Sequence, residues 1–397
     1  MLKKLTVRNF KAIQDMTIEF TPMTVLIGEN GCGKSTVLQA IDFLRSIASR
    51  DIPEYLREKG WAFEELKSQL NGGLEKPIEF VTIWDFSTNG YTETMEWIIS
   101  IDHGKEWVIK EKLTKHIDNG HVQSWRILSY RSDDQVDVPE ALGKFNIQSS
   151  SLKYVAGMSI TTHEIDKLLF FLSDSTSIEL LSPDKMRCGK KLPYAQNIGF
   201  GGEALAYCIE KMNDNERRQL DRTVSDLTGS HIEIQTADLG SKIELSATIK
   251  ADEDTMSVDS LHLSDGFLRI IAFAAISMEK NAGMNTGTKN GMILLDEIEN
   301  GINIYLTEKI ISMLRNLVKK SGRQVIITTH SPVMLNDFKP EEIAFLWKGK
   351  NGSAHSKKLF DTEDMRETLA FLNPGEIWEN FGKDTILTKL NINPKDR

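Results

Sequence analysis

The pattern of apolar and polar positions changes period several times near the start of the chain. Residues 16–20 alternate apolar and polar side chains, which is typical of a strand with one buried face. Residues 24–27 are continuously apolar, which predicts a strand buried on both faces. From Ser35 to Ile47 the apolar residues recur every three or four positions, which predicts an amphipathic helix. The order is therefore strand, short loop, helix.

The rest of the chain divides into an alternating region and a region of mixed elements. Between residues 77 and 130 we predict an antiparallel meander with turns at Asn89-Gly90 and His103-Gly104. Further along, the periodicity predicts helices over residues 165–172, 203–227, 268–276 and 306–317, and strands over residues 232–234, 243–249, 292–295 and 324–328. Strand, helix and strand in this order indicate an α/β core with parallel strands.

Composition narrows the class of protein. The 397 residues include 48 Lys and Arg against 57 Asp and Glu, a net charge of −9, which argues against a surface that is basic throughout. The three cysteines are far apart, which argues against a disulfide framework and favours a reducing compartment. No apolar run reaches the length of a membrane span. We therefore expect a cytoplasmic protein that does not cross a membrane.

A phosphate-binding loop lies between the first buried strand and the first helix. Residues 28–35 read GENGCGKS, the GxxxxGK[ST] pattern, in which glycines let backbone N–H groups turn toward phosphate at the start of a helix. The lysine supplies charge to the β- and γ-phosphates, and the serine hydroxyl binds Mg²⁺. The residues predicted to contact the nucleotide here are Glu29, Asn30, Gly31, Cys32, Gly33, Lys34, Ser35 and Thr36.

A second half of the site is predicted where the apolar strand 292–295 ends. Asp296 and Glu297 follow it directly, so that Asp296 can reach the metal and Glu297 can polarise the attacking water. An apolar run followed by two acids is also common where a strand simply meets solvent. The phosphate loop elsewhere in the chain favours the functional interpretation.

Two further segments carry candidate site residues. Residues 263–266 read LSDG directly before a predicted helix, with Ser264 and Gly266 as the candidate contacts at an anion site. His330 closes the sequence TTH at the end of the strand predicted over 324–328. Taken alone, His330 is more simply a strand-end histidine without chemistry.

The order phosphate loop, LSDG, LLDE and TTH resembles the ABC-type ATPase head, with LSDG in place of the LSGGQ signature. The opening LTVRNFKAIQDMTIEF is similar to the subgroup that contains SMC, RecF and the OLD nucleases, and particularly to ATPase subunits of the Septu and PARIS anti-phage systems. The matching segments cover about half of the chain. The resemblance implies an α/β fold: a P-loop head with a mixed parallel core sheet, an antiparallel β lobe and a compact, mainly helical insertion.

The resemblance also implies roles and cofactors, namely ATP and Mg²⁺. Two heads meet head to tail, so that each ATP lies between one phosphate loop and the partner's signature. The implied roles are phosphate and Mg²⁺ binding for Lys34 and Ser35, metal binding for Asp296, general base for Glu297, γ-phosphate switch for His330, contacts in trans for Ser264 and Gly266, and an interface loop for Glu299-Asn300-Gly301. The family's loop glutamine has no clear counterpart, and Gln69 is the nearest candidate. Arg269 could reach phosphate, but we favour a solvated helix residue.

The spacing of the motifs predicts how the chain is divided. The loop and the signature, although distant in sequence, belong to one discontinuous head, and breakers such as Pro139 and Pro183 exclude a long coiled coil between them. The segment after His330 is too short for a Toprim nuclease domain, so we expect none there. We predict the first half of the head over residues 1–130, an inserted helical region over 131–230, the second half over 231–340 and a C-terminal extension over 341–397.

These features predict an ATPase that forms homodimers or higher oligomers and controls a separate effector, such as a nuclease, in anti-phage defence. One alternative is a RecF-like DNA repair ATPase that acts as an ATP-gated clamp. A transporter ATPase subunit fits less well, because the interval between motifs is long. Basic residues at 185–191 leave nucleic-acid contact open, although such runs are more often solvated faces.

Overall fold

The computed structural model of the chain describes residues 1–70, 72–86, 92–118, 122–131, 147–157, 162–192, 197–251, 254–278 and 291–393. The turn predicted at Asn89-Gly90 and most of the interval between residues 131 and 147 lie outside these ranges. Within them, no helix is both long enough and apolar enough to cross a membrane.

The described part of the chain alternates between strands and helices. The strands are β1 (Leu2–Phe10), β2 (Ile13–Glu19), β3 (Met23–Ile27), β4 (Ile78–Asp85), β5 (Thr92–Ile101), β6 (Val108–Asp118), β7 (Val122–Arg131), β8 (Thr176–Ile178), β9 (His231–Asp238), β10 (Ile243–Ala251), β11 (Asp254–Asp259), β12 (Met292–Leu295), β13 (Gln324–Thr328), β14 (Ile343–Lys348) and β15 (Ala354–Lys358). The helices are α1 (Lys34–Ile47), α2 (Ile52–Lys59), α3 (Ser151–Gly157), α4 (His163–Ser173), α5 (Pro183–Arg187), α6 (Leu205–Glu210), α7 (Asp214–Thr228), α8 (Asp265–Met278), α9 (Thr307–Ser321), α10 (Pro332–Leu335), α11 (Glu363–Thr368), α12 (Pro374–Asn380) and α13 (Lys383–Lys389).

The strands form three sheets. The central sheet has the order β15-β14-β3-β13-β12-β8, in which only the β14–β15 pair is antiparallel. An antiparallel sheet has the order β2-β1-β4-β5-β6-β7 and contains the meander predicted over residues 77–130. A smaller sheet has the order β11-β10-β9. The predicted α/β class, with a mixed parallel core sheet and an antiparallel lobe, is confirmed.

The central sheet also draws strands from segments that were predicted to lie outside the core. Strand β8 comes from the interval 131–230 and pairs with β12, while β14 comes from the predicted C-terminal extension and pairs with β3. Both pairs are parallel, so their carboxyl ends lie at the same edge of the sheet as the phosphate loop.

The central sheet separates two hydrophobic cores. Successive residues of a strand point to opposite faces, so Val25 and Ile27 enter one core and Leu26 enters the other. Strands β12, β13 and β14 alternate in the same way. The first core includes side chains of α7, α8 and α9, and the second includes side chains of α1, α2, β1 and β4. Because both faces are covered, these strands have continuous apolar sequences.

One predicted element is wrong. The helix expected over residues 203–227 is two helices, because α6 stops at Glu210 and Asn213 caps a new helix, α7. Its side-chain oxygen accepts bonds from the backbone N–H groups of Asn215 (3.0 Å) and Glu216 (3.1 Å), and the Glu216 carboxylate accepts one from the Asn213 N–H at 2.8 Å. These capping hydrogen bonds use backbone N–H groups that a continuous helix would need, so they favour a new helix start at Asn213.

Candidate functional site

Four parallel strands of the central sheet end at one edge, and each delivers a candidate residue there. Gly28 follows β3, Thr328 ends β13, Asp296 follows β12 and Glu179 follows β8. The carboxyl edge of such a sheet is where α/β proteins bind ligands. The fold therefore assembles the phosphate loop and the 292–297 segment, which lie far apart in sequence.

The phosphate loop depends on two glycines for its path. Gly28 has φ 153°, and a side-chain carbon there would lie 2.2 Å from the carbonyl oxygen of Leu346 in β14. Gly33 has φ 102° and precedes α1 as its N-cap, with no side chain capping the helix. The first N–H groups of α1 are thus free of side-chain caps, as an anion site at a helix start requires.

Lys34 is buried within the loop that it closes. Its ammonium donates hydrogen bonds to the carbonyl oxygens of Gly28 (2.9 Å) and Glu29 (3.0 Å). Burial lowers the pKa of Lys34, while the negative charges of Asp296 and Glu297 oppose that shift. A bound phosphate would supply the negative charge that balances the Lys34 ammonium. The two carbonyl dipoles balance it only in part. Of the other predicted loop residues, Glu29, Asn30 and Gly31 are exposed, Cys32 is buried, and Ser35 and Thr36 are half-buried.

A direct contact joins the two halves of the site. The Ser35 hydroxyl donates to Oδ1 of Asp296 at 3.1 Å, and the hydroxyl of Thr328 donates to the same oxygen at 2.5 Å. Burial raises the pKa of Asp296, the two hydrogen bonds oppose the shift, and the charges of Glu297 and Glu179 add to it. The half-buried carboxylate therefore lacks a full counter-charge.

This donor set fits Mg²⁺. A serine hydroxyl and a carboxylate are hard oxygen ligands, and the uncompensated charge of Asp296 is what a cation at this position would neutralise. No group of three or more histidine, cysteine or acidic side chains within the described ranges could hold a metal ion. Mg²⁺ is commonly bound by only one or two carboxylates together with substrate phosphates, so a sparse set of protein ligands suits it.

Glu297 has a strained backbone beside Asp296, the predicted metal ligand. Its φ is 47°, unusual for a residue with a side chain, and its backbone N–H donates to the Thr328 hydroxyl at 2.8 Å. Thr328 thus accepts from Glu297 while it donates to Asp296. The Glu297 side chain is exposed at this edge. Such strain at a site is a pointer to function. Thr328 was missed from the sequence because a threonine in a buried strand has no distinctive pattern.

His330 is held through its backbone by the acid two positions after Glu297. Its N–H donates to Oε1 of Glu299 at 2.5 Å, and the other carboxylate oxygen of Glu299 is buried without a hydrogen bond. This contact fixes the end of β13 against the loop after β12. His330 itself is half-buried at the same edge as Asp296.

The signature residues lie beside the loop that follows β12, since Gly266 approaches Gly301 of that loop. Ser264 is exposed and its hydroxyl accepts from the backbone N–H of Phe267 at 3.3 Å, which caps α8. A side-chain carbon on Gly266 would lie 3.1 Å from the carbonyl oxygen of Gly301. Among the described residues, no hydrogen bond joins Ser264 or Gly266 to the phosphate loop of the same chain. Within the described part of one subunit, these two predicted contacts therefore make no hydrogen bond to the site.

Two arginines fix the signature segment. Arg187 of α5 donates to the carbonyl oxygen of Leu263 (2.8 Å) and to the carboxylate of Asp265 (2.6 Å). Arg269 of α8 donates to the carbonyl oxygen of Leu181 (3.2 Å) and packs against Gly301, where any side chain would clash with its guanidinium. The interpretation of Arg269 as a solvated helix residue is therefore wrong, because its head group fills a gap between two loops.

The structure also locates Gln69 and the basic run 185–191. Gln69 is exposed just after Lys67, which bridges to the end of β1, so it belongs beside the antiparallel sheet. Glu179, which follows β8, is the residue next to Asp296 at the carboxyl edge of the central sheet. In the basic run 185–191, Arg187 is engaged with the signature and Lys191 pairs with Asp238 at 2.7 Å. That run is therefore partly neutralised by internal ion pairs.

Together, a phosphate loop between β3 and α1, joined to an acid at the end of a neighbouring parallel strand, defines a P-loop nucleotide-binding protein. The family described as "AAA domain, putative AbiEii toxin, Type IV TA system" matches residues 23–336. The chain belongs to this family.

Several curated proteins and a solved structure are similar to the chain. It is 24% identical to the Septu protein PtuA of Bacillus mycoides (strain KBAB4) over 398 residues, covering 93% of this chain and 44% of that protein. It is 25% identical to the Retron Ec83 probable ATPase of Escherichia coli, covering 87% and 70%. The chain thus spans less than half the length of PtuA. An SMC head, solved bound to the C-winged helix domain of ScpA, superposes with a TM-score of 0.53 at 15% identity, over 90% of this chain and 98% of that one. The resemblance to the OLD, RecF and SMC group is confirmed.

Proposed function

We propose that this protein binds ATP with Mg²⁺ and hydrolyses it at an interface between two copies of the chain. The observation that carries the proposal is the 3.1 Å contact between Ser35 and Asp296. It joins the phosphate loop to the acid after β12 at the edge where both strands end, which is the arrangement that Mg²⁺-dependent phosphoryl transfer needs. Family membership supports ATPase chemistry in general.

Each candidate residue has a distinct task in this proposal. The N–H groups at the start of α1 and the ammonium of Lys34 bind the phosphates. Ser35 and Asp296 hold Mg²⁺, which when bound neutralises charge on the β- and γ-phosphates. Glu297 orients and polarises a water molecule for attack on the γ-phosphate, and its exposed carboxylate is accessible to that water. His330 contacts the γ-phosphate from the end of β13.

The second copy completes the site. Within the described ranges Ser264 and Gly266 make no hydrogen bond to their own phosphate loop, and Ser264 is exposed, so they are available to a nucleotide bound by a partner. The exposure of Glu297 supports the same assembly, because a facing subunit would enclose its carboxylate and exclude bulk water. ATP then acts as part of the interface, and its hydrolysis weakens the assembly.

We further propose that the assembly controls a separate effector protein, such as a nuclease, in anti-phage defence. Similarity to a Septu protein and to a retron ATPase over most of the chain supports this role. A DNA-repair clamp is the second candidate. Its support is a set of short matches, for example 37% identity to the DNA repair protein RecN of Bacillus subtilis (strain 168) over 73 residues, 18% of this chain. The ion pairs of Arg187 and Lys191 reduce the charge available for DNA.

The nucleotide site is tested with two substitutions. We expect Glu297→Gln to bind ATP, to hydrolyse it at least about a hundredfold more slowly, and to accumulate as a dimer in light scattering. Lys34→Ala should lose nucleotide binding, and Glu308→Gln, an acid in the first turn of α9, serves as the matched control. Hydrolysis by Glu297→Gln at the wild-type rate would refute the assignment of the base.

The defence role needs a separate experiment in cells. Plaque formation is compared on bacteria that carry the native gene neighbourhood with wild-type protein, with Lys34→Ala, or with the matched control. Protection that requires Lys34 supports the proposal. Equal plaque counts in all three strains, alongside DNA-stimulated ATPase of the purified chain, would favour the repair clamp.

A further inference from the structure

Glu179 lies next to the predicted metal ligand because of strand register. Ile178 pairs with Leu295 in the parallel β8–β12 ladder, and the N–H of Asp296 donates to the carbonyl oxygen of Ile178 at 3.1 Å. The next residues, Glu179 and Asp296, are therefore neighbours on adjacent strands, whose axes lie about 4.8 Å apart. Paired residues of a parallel ladder point to the same face, as Asp296 and Thr328 confirm by their hydrogen bond.

The Glu179 carboxylate is held by a buried lysine. The Lys59 ammonium lies 2.6 Å from Oε1 of Glu179 and 3.0 Å from Oδ2 of Asp42, and the Lys59 side chain is only 4% exposed. The ring centroid of Phe200 is 3.4 Å from the same ammonium. Lys59 is therefore enclosed, whereas Glu179, with 37% of its side chain exposed, is the member of the pair that can turn.

The lysine is anchored to the helix that begins at the phosphate loop. Asp42 of α1 accepts two hydrogen bonds from Arg45 (2.7 and 3.1 Å) and one from the Tyr55 hydroxyl (3.2 Å). Burial acts to raise the pKa of Asp42, but the charges of Arg45 and Lys59 outweigh it and lower the pKa. With Asp42, Arg45 and Lys59 charged, Glu179 brings the cluster to neutrality.

We propose that Glu179 is a positioning residue for Mg²⁺, its carboxylate placed beside Asp296 by strand register and restrained by Lys59. This inference rests on the proposed function, since it presumes Mg²⁺-ATP at Ser35 and Asp296. Glu179 acts on the metal through its field and through water in the metal's hydration shell, while Lys59 prevents it from displacing the phosphate ligands. Lys59 at the end of α2 also pairs with Asp42, so that Glu179 is connected to both α2 and α1.

The test measures how nucleotide affinity depends on Mg²⁺. A fluorescent ATP analogue is titrated into the full chain across a range of Mg²⁺ concentrations and in EDTA. For Glu179→Gln we expect the Mg²⁺ concentration at half-maximal enhancement to rise on the order of tenfold, from the loss of one charge near a divalent ion. Affinity in EDTA should be unchanged or higher, because a negative charge near the phosphates is gone. Glu179→Asp should stay within about threefold of wild type, because the charge is kept.

The matched control is Glu58→Gln on α2, an exposed acid that pairs with Arg50. It should leave the Mg²⁺ dependence unchanged. Unaltered Mg²⁺ dependence in Glu179→Gln, or an equal loss of affinity with and without Mg²⁺, would overturn the proposal in favour of a structural role. Should Glu179→Gln not fold, a tenfold shift in Glu179→Asp would overturn it instead. If the wild-type chain binds no nucleotide at all, the proposed function itself fails, and that result is distinct from the others.

Discussion

The hydroxyl of Thr328 is the most direct point at which to test the geometry of the site. It donates to Asp296, accepts from the N–H of the strained Glu297, and is fully buried. Thr328→Val keeps the shape of the side chain and removes both bonds. A hydrogen bond to a charged group contributes about 1.5–3 kcal/mol, and a stranded buried N–H costs about 1–3 kcal/mol. Because Glu297 can relax once released, we expect a loss of about 3 kcal/mol in the free energy of unfolding.

The assay is urea unfolding followed by circular dichroism, with Thr328→Ser as the matched control because it keeps the hydroxyl. The loss should depend on pH, since the missing bond mainly favours ionised Asp296. Burial already raises the pKa of Asp296 in the folded state above its pKa in the unfolded state. Ionisation of Asp296 therefore destabilises the fold as the pH rises from the unfolded-state pKa to the folded-state pKa. Thr328→Val raises the folded pKa further. The loss in the free energy of unfolding of Thr328→Val should therefore be larger at about pH 7 than at about pH 4.

Two outcomes would refute this reasoning. A change below about 0.5 kcal/mol in Thr328→Val would mean that neither bond contributes, as for a typical surface substitution. A deficit that grows toward acidic pH would mean that the hydroxyl does not act on the ionised carboxylate. ATP hydrolysis by the same variant gives a second readout, because a misplaced Glu297 should lower the rate even where the fold persists.

Three further predictions test other parts of the fold. Gly28→Ala should cost at least about 3 kcal/mol of stability, measured by thermal unfolding, because its methyl group would meet the carbonyl of Leu346; unchanged stability would contradict the loop path. Arg187→Met should weaken ATP-dependent dimerisation on the order of tenfold in sedimentation, with monomer nucleotide affinity retained, because it frees the signature segment; equal dimerisation would remove Arg187 from that role. Asn213→Ala should cost about 1 kcal/mol in urea unfolding through loss of the α7 cap, whereas Asn213→Asp should be nearly neutral.

The sequence by itself determined the parts of this protein that depend only on residues close together in the chain. The GxxxxGKS loop needs only contiguous residues to define its turn, its lysine and its helix start, and the apolar runs of β3, β12 and β13 are continuous because the central sheet is covered on both faces. Local rules also placed the meander and α8. They failed at Asn213, where a side chain competes with the helical backbone for its N–H groups.

Only the tertiary structure decided which distant residues meet. Strand order set Glu179 beside Asp296 and gave Thr328 two partners, and neither residue carries a recognisable motif. Packing likewise places Arg187, which the sequence shows only as part of a basic run, in a hydrogen bond to Leu263 of the signature segment. The physical reason is that periodicity shows which face of a helix or strand is buried. Which strands and helices lie next to each other depends instead on how all side chains pack in the two hydrophobic cores on either face of the central sheet. The sequence therefore predicts an ATPase site in outline, and the register of four parallel strands decides its inner geometry.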